Sequence, residues 1–234
     1  MKKNLLKENF VLKETQCTII SDKQHAIQIA VESIKRNRRE LEIYGRANPQ
    51  FLYTLRPFAA PEKPLVAKLM ALAAEKADVG PMAAVAGAIA DLAVEDMTRE
   101  DCEVAVVEDG GEISAMSNTS IDVAVATGDE PLSRRFGFRL KDFPIGIATS
   151  SGRFSHALSF GDAEASTIFC KSAALADAAA TAVGNVVKGE NIQAAIRKGI
   201  SRGLSIEGVE GVLIIYKGQV GTAGKIPQII KVRE

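Results

Sequence analysis

The sequence predicts an α+β fold with largely antiparallel sheets. Strand-period runs are joined by hairpin signals at Asp109-Gly-Gly111 and Lys217-Gly218, helix-period runs stand apart from them, and no regular strand–helix–strand alternation links the two. A helix followed by a hairpin occurs twice, over 81–116 and 172–220, which points to two similar halves, about 1–130 and 131–234, within a single domain. With 234 residues, 47% hydrophobic but only 5% aromatic, the chain is long enough for a large core built from small aliphatic side chains.

Taken in order, Gln16-Cys-Thr-Ile-Ile20 reads as a strand. Ser21 or Asp22 then caps a helix on which Ala26, Ile29, Ala30, Ser33, Ile34 and Leu41 recur at helical spacing, ending near Gly45. The basic run Lys35-Arg-Asn-Arg-Arg39 falls on this helix; it has the charge to clamp a phosphate but reads first as a solvated face, and no function is assigned to it. Four prolines between Asn48 and Pro64 predict a loop or an extended, lid-like segment. Helices follow over about 64–77 and 81–97; the second carries a proline in its first turn, where the missing N–H costs nothing, and a face with almost no bulk. From Cys102 the period changes to two. The run Cys102–Glu108, the Asp-Gly-Gly turn and Glu112–Met116 form a hairpin. Further strands are expected near 121–127, 134–140, 145–149 and 165–170. Ser172 caps an alanine-rich helix to about Val187, another helix spans 190–202, and the chain closes with a hairpin over 211–220 and a strand from Ile226 to Val232.

The charge balance excludes one class of function. Twenty-nine basic residues offset 29 acidic ones, leaving no global field to recruit nucleic acid or an anionic membrane. Cys17, Cys102 and Cys170 are far apart and lack a C-x-x-C or Cys/His cluster, so they read as reduced core thiols. The early lysines are followed by an apolar stretch interrupted at Lys7, Glu8, Lys13 and Glu14. Neither a cleaved signal nor a membrane span is predicted, and the expected location is cytoplasmic.

Three stretches carry candidate chemistry. Glu108-Asp-Gly-Gly-Glu112 is a glycine turn whose Gly110 and Gly111 leave backbone accessible to a ligand. Thr149-Ser-Ser-Gly152 places small hydroxyls around a glycine just after an apolar strand, where free N–H groups and hydroxyls can cradle a phosphate. On the alanine-rich helix, Asp177 and Thr181 are four residues apart and share a face, giving two hard oxygens suited to one divalent cation. A structural alternative stands beside this: Asp177 complements the dipole of its own helix while Thr181 bonds a backbone carbonyl.

The succession of Gly87-Ala-Ile-Ala90, Asp109-Gly-Gly111, Thr149-Ser-Ser-Gly152 followed by His156, and Ala176-Asp-Ala-x-x-Thr181 resembles the ApbE-like flavin transferase superfamily. It looks closest to the shorter, poorly characterised branch of archaea and anaerobic bacteria. The resemblance covers about residues 80–188. It implies Mg²⁺ held by Asp177, Thr181 and the carbonyl of Ala90, flavin or phosphate approached by Thr149, Ser150, Ser151 and Gly152, and His156 as general base. FAD or FMN would be the nucleotide bound, and Mg-dependent FMN transfer from FAD, or its hydrolysis, would be the reaction. The chain departs from that pattern in two places. Asp91-Leu-Ala93 stands where transferases have Lys-Gly-Tyr, and His156-Ala-Leu-Ser-Phe-Gly-Asp162 replaces an Asp-Pro-x-Thr-Gly stretch. The alternative the resemblance implies is a non-catalytic or accessory protein in anaerobic sulfur assimilation and homocysteine biosynthesis.

Overall fold

A computed structural model describes residues 5–124, 136–150 and 161–231. The chain runs β1 (Leu6–Leu12), β2 (Thr15–Ser21), α1 (Gln24–Ala47), α2 (Pro49–Tyr53), α3 (Leu65–Ala77), a 3₁₀ turn (Pro81–Ala84), α4 (Val85–Thr98), β3 (Val104–Asp109), β4 (Glu112–Ser117) and β5 (Ile121–Ala124). It continues through β6 (Phe136–Leu140), β7 (Ile145–Ser150), β8 (Ala165–Cys170), α5 (Ala173–Gly184), α6 (Ile192–Leu204), β9 (Val209–Tyr216), β10 (Gln219–Gly224) and β11 (Gln228–Lys231). Strands β1-β2-β3-β4-β7-β8-β9-β10 form an eight-stranded sheet, and β11-β6-β5 a three-stranded one. Every described pairing is antiparallel, as the α+β reading requires.

Both faces of the large sheet are covered. On β3, Ala105 and Val107 pack into the core shared with the helices, whereas Val104 and Val106 join Phe138, Phe169, Leu213 and Ile215 between the two sheets. Two-sided burial explains why Val104 to Val107 are all buried, where a period of two was expected from the sequence. Phe138 and Phe169 meet edge to face at 4.9 Å between centroids and tie the small sheet to the large one.

Several elements differ from the sequence reading. β1 is an added edge strand, paired through its whole length with β2; its Lys, Glu and Asn residues hid a strand that only one neighbour needs. The proline-rich segment opens with a short helix, α2, started by Pro49 at its first position, and its buried Phe51 stacks on Tyr44 and Phe58. Cys102 precedes β3 instead of lying in it and donates its S–H to the Met97 carbonyl at 3.2 Å. Thr149 and Ser150 are the last residues of β7, paired with Thr167 and Ser166, so the hydroxyl-rich stretch begins as strand and not as loop.

Candidate functional site

Helix α5 runs through the middle of the core. Ten of its 12 residues are buried, and the two that reach the surface are Asp177 and Thr181. Its alanines let the neighbours close in: a Cβ built on Gly87 of α4 would lie 2.2 Å from the Ala173 carbonyl oxygen, so only glycine permits the crossing of α4 and α5.

At that crossing each helix caps the other. Asp91 on α4 accepts hydrogen bonds from the first amides of α5, Ala173 N at 2.9 Å and Ala174 N at 3.0 Å, and from the hydroxyls of Ser172 at 2.8 Å and Ser114 at 2.7 Å. Asp177 on α5 in turn accepts from Gly87 N in the first turn of α4 at 3.1 Å. Both carboxylates thus meet the positive end of a helix dipole. Asp177 complements the dipole of α4, not that of its own helix, and Thr181 Oγ1 bonds no backbone carbonyl among the described residues, so neither half of the structural alternative holds in its original form.

A cavity of about 390 Å³ opens over this corner. Asp177 and Thr181 line it from α5, Val85, Ala86 and Ile89 from α4, Thr149 and Ser150 from the end of β7, and Asp109, Gly110 and Glu112 from the β3–β4 hairpin. Glu14, Thr15 and Arg38 close the far side. Gly110 and Gly111 take φ of +69° and +115°, the left-handed pair a two-residue hairpin turn demands. The turn sets Asp109 directly across from Glu112, a like-charge pair that a sheet built for stability alone avoids. Gly111 N donates to Glu108 at 3.0 Å. A second cavity of about 250 Å³, walled by Leu52, Tyr53, Leu55 and Val79, shares Met82, Ala83 and Thr181 with the first.

The electrostatics of the corner follow from its burial. Desolvation pushes the Asp177 carboxyl up to about 7, against the pull of the Gly87 and Ala86 amides, and the charges of Asp109 and Asp91 add to the rise. Glu112 is raised well above its ordinary range by burial first and then by Asp177 and Asp109. Burial likewise raises Asp109, which accepts from Gln16 N at 3.2 Å. Among the described residues no three Asp, Glu, His or Cys side chains form a group able to hold a metal ion.

The predicted residues divide accordingly. Asp177, Thr181, Thr149, Ser150 and Gly110 come together on one cavity, with Gly111 in the turn beside it. Ala90 does not join them: it is fully buried in the second turn of α4, where its carbonyl faces the helix's own i+4 amide. Ser151, Gly152 and His156 lie outside the described residues. The sequence reading assigned no individual role to Arg38, Asp109 or Glu112. The two acids flank the glycines already singled out, and Arg38 lies four residues after Ile34, on the edge of the buried stripe of α1, which separates it from the rest of the basic run.

Comparison with known proteins shows the family and the fold. The model of the family described as AbpE bacteria matches residues 3–221. The chain belongs to that family. A UPF0280 protein of Methanococcus vannielii is 38% identical over 97% of this chain and 94% of its own length, and one of Methanocaldococcus jannaschii is 36% identical over 96% and 93%. Among solved structures, the apo flavinyl transferase ApbE of Pseudomonas stutzeri superposes with a TM-score of 0.64 at 13% identity, covering 94% of each chain. The apbe protein of Thermotoga maritima reaches 0.58 at 13% identity over 99% of this chain and 100% of that one. These structural matches establish an ApbE-like fold. Among the described residues no single helix is long and apolar enough to cross a membrane.

Proposed function

We propose that this ApbE-like protein binds a flavin nucleotide together with a divalent cation at the α4–α5 corner and acts on the pyrophosphate of FAD, by FMN transfer or by hydrolysis. One observation carries the reading: an otherwise buried helix opens only at Asp177 and Thr181, and does so into an acid-lined cavity. A carboxylate and a hydroxyl make a sparse, hard-oxygen donor set, which suits Mg²⁺ because that ion keeps waters and takes its remaining ligands from substrate phosphates. Asp177 and Thr181 would hold the ion, whose charge would offset that of the pyrophosphate. The Thr149 and Ser150 hydroxyls, at the cavity rim, orient phosphate oxygens, and the apolar annex beside Thr181 accommodates a planar ring. The flavin assignment draws on the fold shared with the P. stutzeri flavinyl transferase and on the sequence resemblance.

Asp91 refines the comparison with transferases. Its four hydrogen bonds, three from the start of α5 and one from Ser114 on β4, occupy the carboxylate, so it adds no free anion beside a bound pyrophosphate. The accessory reading is favoured by the absence of any lysine among the described cavity-lining residues. Direct thiol chemistry at Cys17 or Cys170 is not: burial raises the Cys17 thiol and pushes Cys170 up to about 12, far from the reactive thiolate range.

The test is to incubate the protein with FAD and Mg²⁺, follow release of AMP and FMN, and measure FAD binding with and without the ion. Metal-dependent binding or turnover that disappears in Asp177→Ala is the expected result. Absence of both in the wild-type protein overturns the enzyme reading and leaves the accessory one.

A further inference from the structure

Arg38 is the sole cationic side chain among the described residues lining the cavity at the α4–α5 corner, against four carboxyl groups, Glu14, Asp109, Glu112 and Asp177. It is held in place from below and covered from above. One guanidinium nitrogen donates to the buried Thr15 hydroxyl, and the other, Nη2, donates to Glu14 Oε2 at 2.7 Å. Its Nε is buried and finds no partner among the described residues. The two ends of the ion pair differ sharply in exposure: the Arg38 side chain is 16% exposed, that of Glu14 84%. An arginine with one edge fixed, an unsatisfied Nε–H and its remaining edge covered by a solvent-facing carboxylate is built to exchange that carboxylate for another oxyanion. The guanidinium fork suits phosphate as well as carboxylate, and an exposed ion pair costs little to break.

Resting on the reading above, we infer that Arg38 is the anion anchor of this site. It binds a phosphate of the ligand through its Nε and Nη2 edge, and Glu14, in the β1–β2 turn, is the internal placeholder that the phosphate displaces. Thr15 sets the guanidinium plane. In this chain the charge for the ligand's phosphates comes from α1 and the metal, while position 91, lysine in the transferases, is committed to capping α5. The basic run on α1 therefore divides: Arg38 faces the cavity, while Lys35, Arg36 and Arg39 are exposed.

The test uses the full chain with saturating Mg²⁺ and titrates inorganic pyrophosphate and FAD calorimetrically. Arg38→Gln should weaken both by about tenfold or more, the loss of a charge-assisted fork. Arg38→Lys should recover only part of that, since a point charge cannot reproduce the fork. Glu14→Gln, a change at an exposed side chain that leaves the fold intact, should tighten both severalfold. Wild-type affinity in Arg38→Gln, or weaker binding in Glu14→Gln, overturns the inference even when Asp177→Ala abolishes metal-dependent binding. If the wild-type chain binds neither probe in the presence of Mg²⁺, the functional reading and this inference fall together.

Discussion

Asp177 concentrates the conflict between stability and use in one carboxyl. In the unfolded chain it titrates near 3.9; in the fold, burial moves it to about 7. The native state therefore holds the proton across that window, so stability is greatest at the acid end and falls as pH rises through 7. About three pK units correspond to a ceiling of about 4 kcal/mol. Asp177→Asn keeps an acceptor for the Gly87 amide and removes the charge. In chelator, its urea midpoint should match that of the wild type only below about pH 4, where both states of the wild type are protonated, and exceed it increasingly up to pH 8.5; parallel curves over that range would refute the buried-charge account. Glu112 and Asp109, raised for the same reason, steepen the wild-type decline. The pairing of Asp177 with Thr181 was legible from i, i+4 spacing alone. What spacing could not reveal is that the nearest positive dipole belongs to another helix, because that contact spans 90 positions along the chain.

Between elements, the reciprocal caps decide where the site sits. Removing the Asp91 carboxylate leaves two α5 amides and two serine hydroxyls without their shared acceptor. Asp91→Ala should cost about 2–4 kcal/mol, more than a lone helix cap, because the hydrogen bonds are charge-assisted and partly buried. Asp91→Lys should be at least as damaging, since it sets an ammonium against the positive end of α5. Chemical denaturation of both variants checks this; a lysine variant as stable as wild type would show that Asp91 does not organise the crossing. Residue identity at position 91 looked, in sequence, like a lost catalytic cation. Its structural employment became visible only once Gly87 was seen to bring α4 against the Ala173 peptide.

For the molecule as a whole, periodicity and turn chemistry revealed most elements, including both hairpins and the antiparallel character. They missed β1, whose polar composition suits an edge, and α2, masked by prolines that serve as helix starters. Arg38 went unassigned because a basic run averages over residues that the helix sends in different directions. Global packing also governs the thiols. Cys17 and Cys170 are 3% and 1% exposed, so their reaction with an aromatic disulfide reagent should run at the rate of large-scale opening, while the half-buried Cys102 reacts first. Equal, rapid labelling of all three in native buffer would contradict the two-sided core.

The two exposed positions of α5 have a consequence for how such a protein changes over time. Ten of its residues answer to packing, Thr181 to whatever occupies the cavity, and Asp177 to both, because it also caps α4. The helix is a fixed mount with two fittings of unequal freedom: Thr181 can be exchanged to suit a ligand without touching the core, whereas any replacement of Asp177 must still offer the Gly87 amide an acceptor.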